Sequence, residues 1–183
     1  SPKISASSTY LIMIFRKKTI NGFTLIEIMV AISVFSVGIL GVYALVPAAI
    51  SSGAENSDRF VAAQLALEGL EIVRNIRDSN WLEQINDPSN LWNEGLDNCL
   101  IGCEADYVAL QNIEPALTPY GVGRYLKIDN QGFFNYSNGT STEKFKRKIT
   151  ITNDANTLNV SVEVEWSKKY PALVLVEKLY DWR

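Results

Sequence analysis

From Ile28 to Ile50 the chain runs for 23 residues without one charged side chain. As an α-helix this run extends about 35 Å, enough to cross the hydrocarbon core of a bilayer. Two readings compete for it: a membrane helix that is retained, or the apolar region of a secretory signal whose cleavage site lies near Val46-Pro47-Ala48. The run exceeds the roughly 7–15 residues of an ordinary signal h-region, and Glu27 stands at its start. Both features favour the membrane helix. Arg16, Lys17 and Lys18 precede it, whereas the first charges after it are Glu55, Asp58 and Arg59. The positive-inside rule then keeps the N-terminus cytoplasmic and places the remainder outside.

The rest of the composition narrows the function classes. Four of the 17 basic residues precede Phe23 and all 20 acidic residues follow it, leaving 13 basic against 20 acidic residues in the body. A net charge of −7 there gives no electrostatic footprint for nucleic acid. Histidine is absent, which removes the commonest general base and metal ligand and every Ser/His or Cys/His nucleophile. No enzyme, cofactor or metal site is expected. Cys99 and Cys103 are too few for a zinc site. In an extracytoplasmic domain they read either as a small-loop disulfide or as two free thiols.

Lys17-Lys18-Thr19-Ile20-Asn21-Gly22-Phe23-Thr24-Leu25-Ile26-Glu27 resembles the class III signal of type IV prepilins and type II secretion pseudopilins. The resemblance rests on a basic leader, a Gly-Phe junction, a glutamate five residues into the mature chain and a long apolar helix. It implies that a prepilin peptidase cuts between Gly22 and Phe23 and that the new Phe23 amine is N-methylated. It also implies that Glu27 neutralises the amine of an adjacent subunit in a filament, which gives a costly intramembrane carboxylate a partner. The competing reading of Glu27 is a glutamate snorkelling to the interface. Met13 is read as the true start, giving a ten-residue leader, Met13 to Gly22, and setting residues 1–12 aside as an extension.

Past the apolar run, Pro47 is expected to kink or melt the helix, and Gly38, Gly41, Ser33 and Ser36 offer small surfaces for helix packing in lipid. Residues 51–57, with Gly53, read as a short break, with Ser57 or Asp58 capping a fresh start. An amphipathic helix follows over about 57–78, its stripe Phe60, Ala63, Leu67, Leu70 and Val73 widened by Val61, Leu65, Ile72 and Ile76. Residues 79–122, with Pro88, Pro115, Pro119, Trp81 and Trp92, form a variable loop whose tryptophans cap the core. Over 123–183 the period falls to two, predicting strands at Tyr125–Ile128, Phe145–Ile151, Leu158–Trp166 and Leu173–Tyr180. Asn153-Asp154-Ala155-Asn156 reads as a turn, not a calcium loop. Lys144, Lys146, Arg147 and Lys148 read as a solvated basic face.

The fold class is therefore α+β: a long N-terminal helix, half transmembrane and half amphipathic, packed on an antiparallel meander of about four strands, as in pilins. The domains are a leader (1–22), a membrane helix (23–50) and an extracytoplasmic body (51–183). The resemblance, extended by the strand pattern, implies a minor pilin or I-type pseudopilin. Its partners would be other pilins or pseudopilins, the peptidase and an inner-membrane assembly platform. The alternative is a membrane-anchored extracytoplasmic binding module not processed at Gly22. N-terminal sequencing of protein from native membranes separates these readings: N-methylated Phe23 is expected of the pilin and an uncut Gly22–Phe23 bond of the anchored module, whereas a start near Ile50 marks ordinary signal cleavage. Gly22→Val is expected to leave the precursor uncut.

Overall fold

A computed structural model describes residues 22–107, 117–154 and 156–181. The expectations for Met13, Arg16, Lys17, Lys18 and the rest of the leader up to Asn21, and for Pro115, lie outside the described residues. The chain divides into two compact units, Ser1–Ala48 and Ala49–Arg183. One helix, α1 (Leu25–Asn86), contributes to both.

In the first unit, α1 begins after Thr24, and every described residue from Gly22 to Ala48 is exposed. The most apolar 18-residue window has a mean hydropathy of 2.4. The two serine hydroxyls in this run are returned to the helix itself: Ser33 Oγ donates to Val30 O at 2.8 Å and Ser36 Oγ to Ile32 O at 2.7 Å. Such i−3 and i−4 bonds leave neither serine seeking water, so apart from the exposed Tyr43 the surface offered to the surroundings is almost wholly apolar. The helix passes through Pro47 without melting, contrary to one expectation. Proline removes a single donor, and the turns on either side retain theirs.

In the second unit the Ala49–Asn86 part of α1 packs on antiparallel sheet. The described strands are β1 (Cys103–Glu104), β2 (Thr118–Pro119), β3 (Lys127–Ile128), β4 (Phe134–Asn135), β5 (Thr140–Ser141), β6 (Lys146–Asp154), β7 (Thr157–Glu165) and β8 (Leu173–Tyr180). They form a five-stranded sheet in the order β2-β1-β6-β7-β8 and a three-stranded sheet in the order β4-β3-β5. The meander expected from the period-two segments is β6–β7–β8, with Ile149 opposite Val162 and Val162 opposite Leu175. Tyr125–Ile128 does not join it. Its last two residues enter the small sheet, because Leu126 is tied on both sides to the turn before β6: its N–H donates to Phe145 O and its carbonyl accepts from Thr142 N–H. Asn153 and Asp154 also belong to β6, since pairing continues to Asp154 opposite Thr157.

Two helical expectations are corrected. Residues 51–57 are helical throughout, and α1 continues to Asn86, eight residues beyond the expected end at 78. An interior glycine costs about 1 kcal/mol relative to alanine, too little to break a helix whose following turns are held by tertiary contacts. Asp58 caps nothing and instead takes an ion pair from Lys144 at 2.7 Å. The last turns are retained because Trp81 is buried beside Trp92, ring centroids 6.4 Å apart. Asn80 Nδ2 also donates to Trp92 O and Glu94 O.

The buried stripe also differs. Phe60 is 66% and Leu67 46% exposed, while Ala62, Leu65, Ala66, Gly69, Leu70, Ile72 and Val73 face the sheet. Small residues carry little weight in a hydrophobic periodicity, yet they set how closely the helix approaches. At Gly69 a Cβ would come within 2.9 Å of Val162 Cγ1 and 3.1 Å of Arg147 Cδ. Gly69→Val is therefore expected to overpack this crossing and destabilise the body by about 1–3 kcal/mol. Phe60→Ala, on the exposed face, should leave the melting temperature of the detergent-solubilised chain nearly unchanged.

Candidate functional site

Gly22, Phe23 and Thr24 precede α1 as exposed, non-helical chain, the form in which a peptidase binds a scissile bond. Thr24 Oγ1 accepts a hydrogen bond from Glu27 N–H at 3.3 Å, and Thr24 O accepts the first helical bond from Ile28 N–H at 3.2 Å. Thr24 is thus the N-cap and Glu27 the third helical residue, the T-x-x-E arrangement of a capping box. A reading of Glu27 for its charge alone misses Thr24, although the [ST]-x-x-[DE] pattern ahead of an apolar run signals it. The positive end of the helix dipole favours a carboxylate in this first turn. Among the described residues the Glu27 carboxylate has no hydrogen-bond or ion-pair partner.

The glycines of this unit lack a local reason. A Cβ at Gly22, Gly38 or Gly41 would meet nothing within 4 Å, and none of the three has a backbone angle that excludes side chains. The fold of one copy does not require them.

The polar centre of the second unit is Arg147, 0% exposed although it lies in the Lys144–Lys148 run read as a solvated face. Alternation along β6 turns Arg147 inward with Ile149 and Ile151, while Lys144 stays exposed and the flanking Lys146 and Lys148 half-buried. Arg147 Nη1 donates to Leu65 O in α1 at 2.9 Å, and Nη2 to Ala105 O at 2.5 Å. Glu68 Oε2 lies 3.4 Å from Nη1. Beyond it, Tyr136 OH donates to Arg147 O at 3.2 Å, and burial pushes the Tyr136 phenol up to about 12.

Cys99 and Cys103 are both buried and are joined by a disulfide, with their Cα atoms 5.3 Å apart. The loop they close is fastened to β6, since Cys99 O accepts from Ile151 N–H and Cys103 pairs with Ile149. It thereby positions Ala105, two residues on, against Arg147. Nearer the start of this unit, Tyr170 OH and Lys169 Nζ both donate to the Glu55 carboxylate, at 2.7 and 3.2 Å. These two bonds, Tyr170 first, hold the Glu55 pKa below its ordinary value. Among the described residues no group of three or more Cys, Asp or Glu is arranged to hold a metal ion.

Comparison with known proteins bears on the N-terminal segment. Residues 17–43 match the family model described as the prokaryotic N-terminal methylation motif, which is the type IV prepilin and pseudopilin signature. The match spans the Gly22–Phe23 junction, Glu27 and much of the apolar run, and none of the second unit. No curated protein and no solved structure matches the chain.

The Arg147 cluster yields its own test. Arg147→Met keeps most of the buried volume but removes the Arg147 bonds to the Leu65 and Ala105 carbonyls and leaves Glu68 without its cation. Thermal melting should register a loss of about 2–4 kcal/mol. Lys168→Met, at the surface, should stay within about 0.5 kcal/mol of the parent. Equal stability of the two variants would remove the clamp role from Arg147.

Proposed function

From the prepilin signature at its N-terminus, we propose that this chain is a minor type IV pilin or type II secretion pseudopilin, of the I-type in the latter case. It is a structural subunit that is cut between Gly22 and Phe23, methylated on the Phe23 amine, and assembled into a filament. In this reading residues 23–50 hold it in the cytoplasmic membrane with the N-terminus inside, and residues 51–183 form the extracytoplasmic body. The partners are other pilins or pseudopilins, the prepilin peptidase and an inner-membrane platform.

One observation carries the proposal: among the described residues, nothing covers the apolar helix of the first unit. Apolar surface of this extent is stable only in lipid or against other apolar helices. Gly38 and Gly41, which meet nothing within one copy, permit close approach of a neighbouring helix. Gly22 suits a requirement imposed by the peptidase, because the fold imposes none.

Glu27 then acquires an order-setting role. Near the membrane surface its carboxylate reaches water by snorkelling. Inside a packed bundle of helices that water is excluded, and an unpaired carboxylate costs several kcal/mol. The ammonium at Phe23 of a neighbouring subunit offsets that cost only at one axial stagger, so the pair selects a register without adding bulk stability. Glu27→Ala is expected to leave membrane insertion, processing and the body's melting temperature unchanged, while cutting incorporation into filaments. Capping is not at issue in this variant, because the Thr24 bond is to the Glu27 backbone N–H. Co-purification of the variant with filaments at the parental level would overturn the assignment.

A further inference from the structure

Away from the N-terminal segment, Glu68, Tyr107, Phe133 and Phe134 line a cavity of 460 Å³ in the body. Its aromatic walls are anchored. Tyr107 OH donates to Asp129 Oδ2 at 2.9 Å, and its ring lies 5.6 Å from that of Phe133, tilted by 57°. Phe134 is fixed edge-on to Phe145 at 5.9 Å. Phe133 is 55% exposed, so the wall it forms reaches the solvent. Asp129 in turn is locked by the backbone N–H groups of Gln131 and Phe133.

The carboxylate of this cavity is incompletely used. Glu68 Oε1 is out of contact with solvent and has no hydrogen-bond partner, while Oε2 meets Arg147 only at 3.4 Å. Arg147 turns Nη1 and Nη2 to the Leu65 and Ala105 carbonyls, and its Nε, itself unpaired, makes no bond to Glu68. A buried, unpaired carboxylate oxygen on a side chain that is 34% exposed calls for an explanation. Asp106 and Asp129 add to the negative field. The Tyr107 phenol registers it: its pKa is raised first by the hydrogen bond to Asp129, then by burial, then by the charges of Asp129, Asp106 and Glu68. Ring faces attract cations through their quadrupole, and desolvation strengthens the attraction. Aromatic walls with a carboxylate and an acidic surround therefore favour a cation with apolar flanks over any anion or neutral group. A bare metal ion fits less well, because the described residues offer no cluster of three ligands.

We propose that this cavity binds an organic cation, an alkylammonium or guanidinium group, as carried by a lysine or arginine side chain of an adjoining protein subunit or by a free small molecule. The stem lies along Phe133 and Tyr107 and the charged head faces Glu68. The binding reaction is independent of the filament reading, because it is measured on unassembled protein, and failure of either proposal leaves the other standing.

The test uses the full-length chain in detergent micelles with n-butylammonium and methylguanidinium chloride as probes, against sodium chloride at equal ionic strength. Saturation-transfer NMR should show saturable binding, with the probe's methylene or methyl protons shifted upfield by the rings, and no such binding of neutral n-butanol. Phe133→Ala, at an exposed ring that the core does not need, should weaken binding about tenfold. Glu68→Gln should do the same and move the preference toward the neutral alcohol. Zero-length carbodiimide coupling of native assemblies separates the sources. An intersubunit crosslink at Glu68, lost in Glu68→Gln, identifies a neighbour's lysine, and its absence alongside probe binding identifies an arginine or a free cation. No saturable binding of either probe, or parental binding by both variants, overturns the proposal.

Discussion

The guanidinium of Arg147 is the interaction around which the body is arranged. It projects from β6 into the space between sheet and helix and bonds at once to Leu65 O on α1 and Ala105 O beyond β1. A buried charge is costly unless it is hydrogen-bonded; Nε stays unpaired, and the two Nη bonds hold helix, β6 and the segment after β1 in one mutual arrangement. Gly69 lets the helix backbone approach at this point, with its α-carbon face against Val162 and the Arg147 side chain. The Cys99–Cys103 loop, stitched to Ile149 and Ile151, holds the Ala105 carbonyl within reach. A helix, a disulfide and a strand thus share one polar centre inside an otherwise apolar core.

The N-terminal unit obeys the opposite constraint. Its backbone groups are satisfied internally by the helix and its serine hydroxyls by the preceding turn, as lipid demands of any segment it surrounds. Among the described residues of this unit, its side chains are covered by nothing. One unit is complete in its own contacts and the other is complete only in lipid or among similar helices. That asymmetry supports the proposal that the chain is a subunit that moves from membrane to assembly, with Thr24 and Glu27 marking where the helix begins.

The strands β6, β7 and β8 were legible because two-residue alternation of valine, isoleucine and leucine against polar residues leaves a sheet few alternatives. The same alternation contained the position of Arg147 between Phe145 and Ile149, but charge suggested a surface residue and residue type outweighed register. On α1 the error ran the other way. Phe60 and Leu67 draw attention by size, whereas Ala62, Ala66 and Gly69 make the contact because only small side chains let a helix lie this close to a sheet. The cavity at Glu68, Tyr107, Phe133 and Phe134 could not be read at all, since it collects residues from three separate stretches of the chain.

By itself the sequence determined the character of the N-terminal unit: the length of the apolar run, the charge asymmetry across it, the Gly22–Phe23 junction and the place of Glu27. These are local and one-dimensional properties, and a bilayer reads a helix in much the same way. The tertiary structure alone decided which face of α1 is buried, that Arg147 points inward, that Tyr125–Ile128 leaves the main sheet, and that residues 51–57 stay helical. Each of those outcomes depends on contacts between residues distant in the chain, whose combined energy exceeds the local preferences of about 1 kcal/mol or less from which a sequence is read.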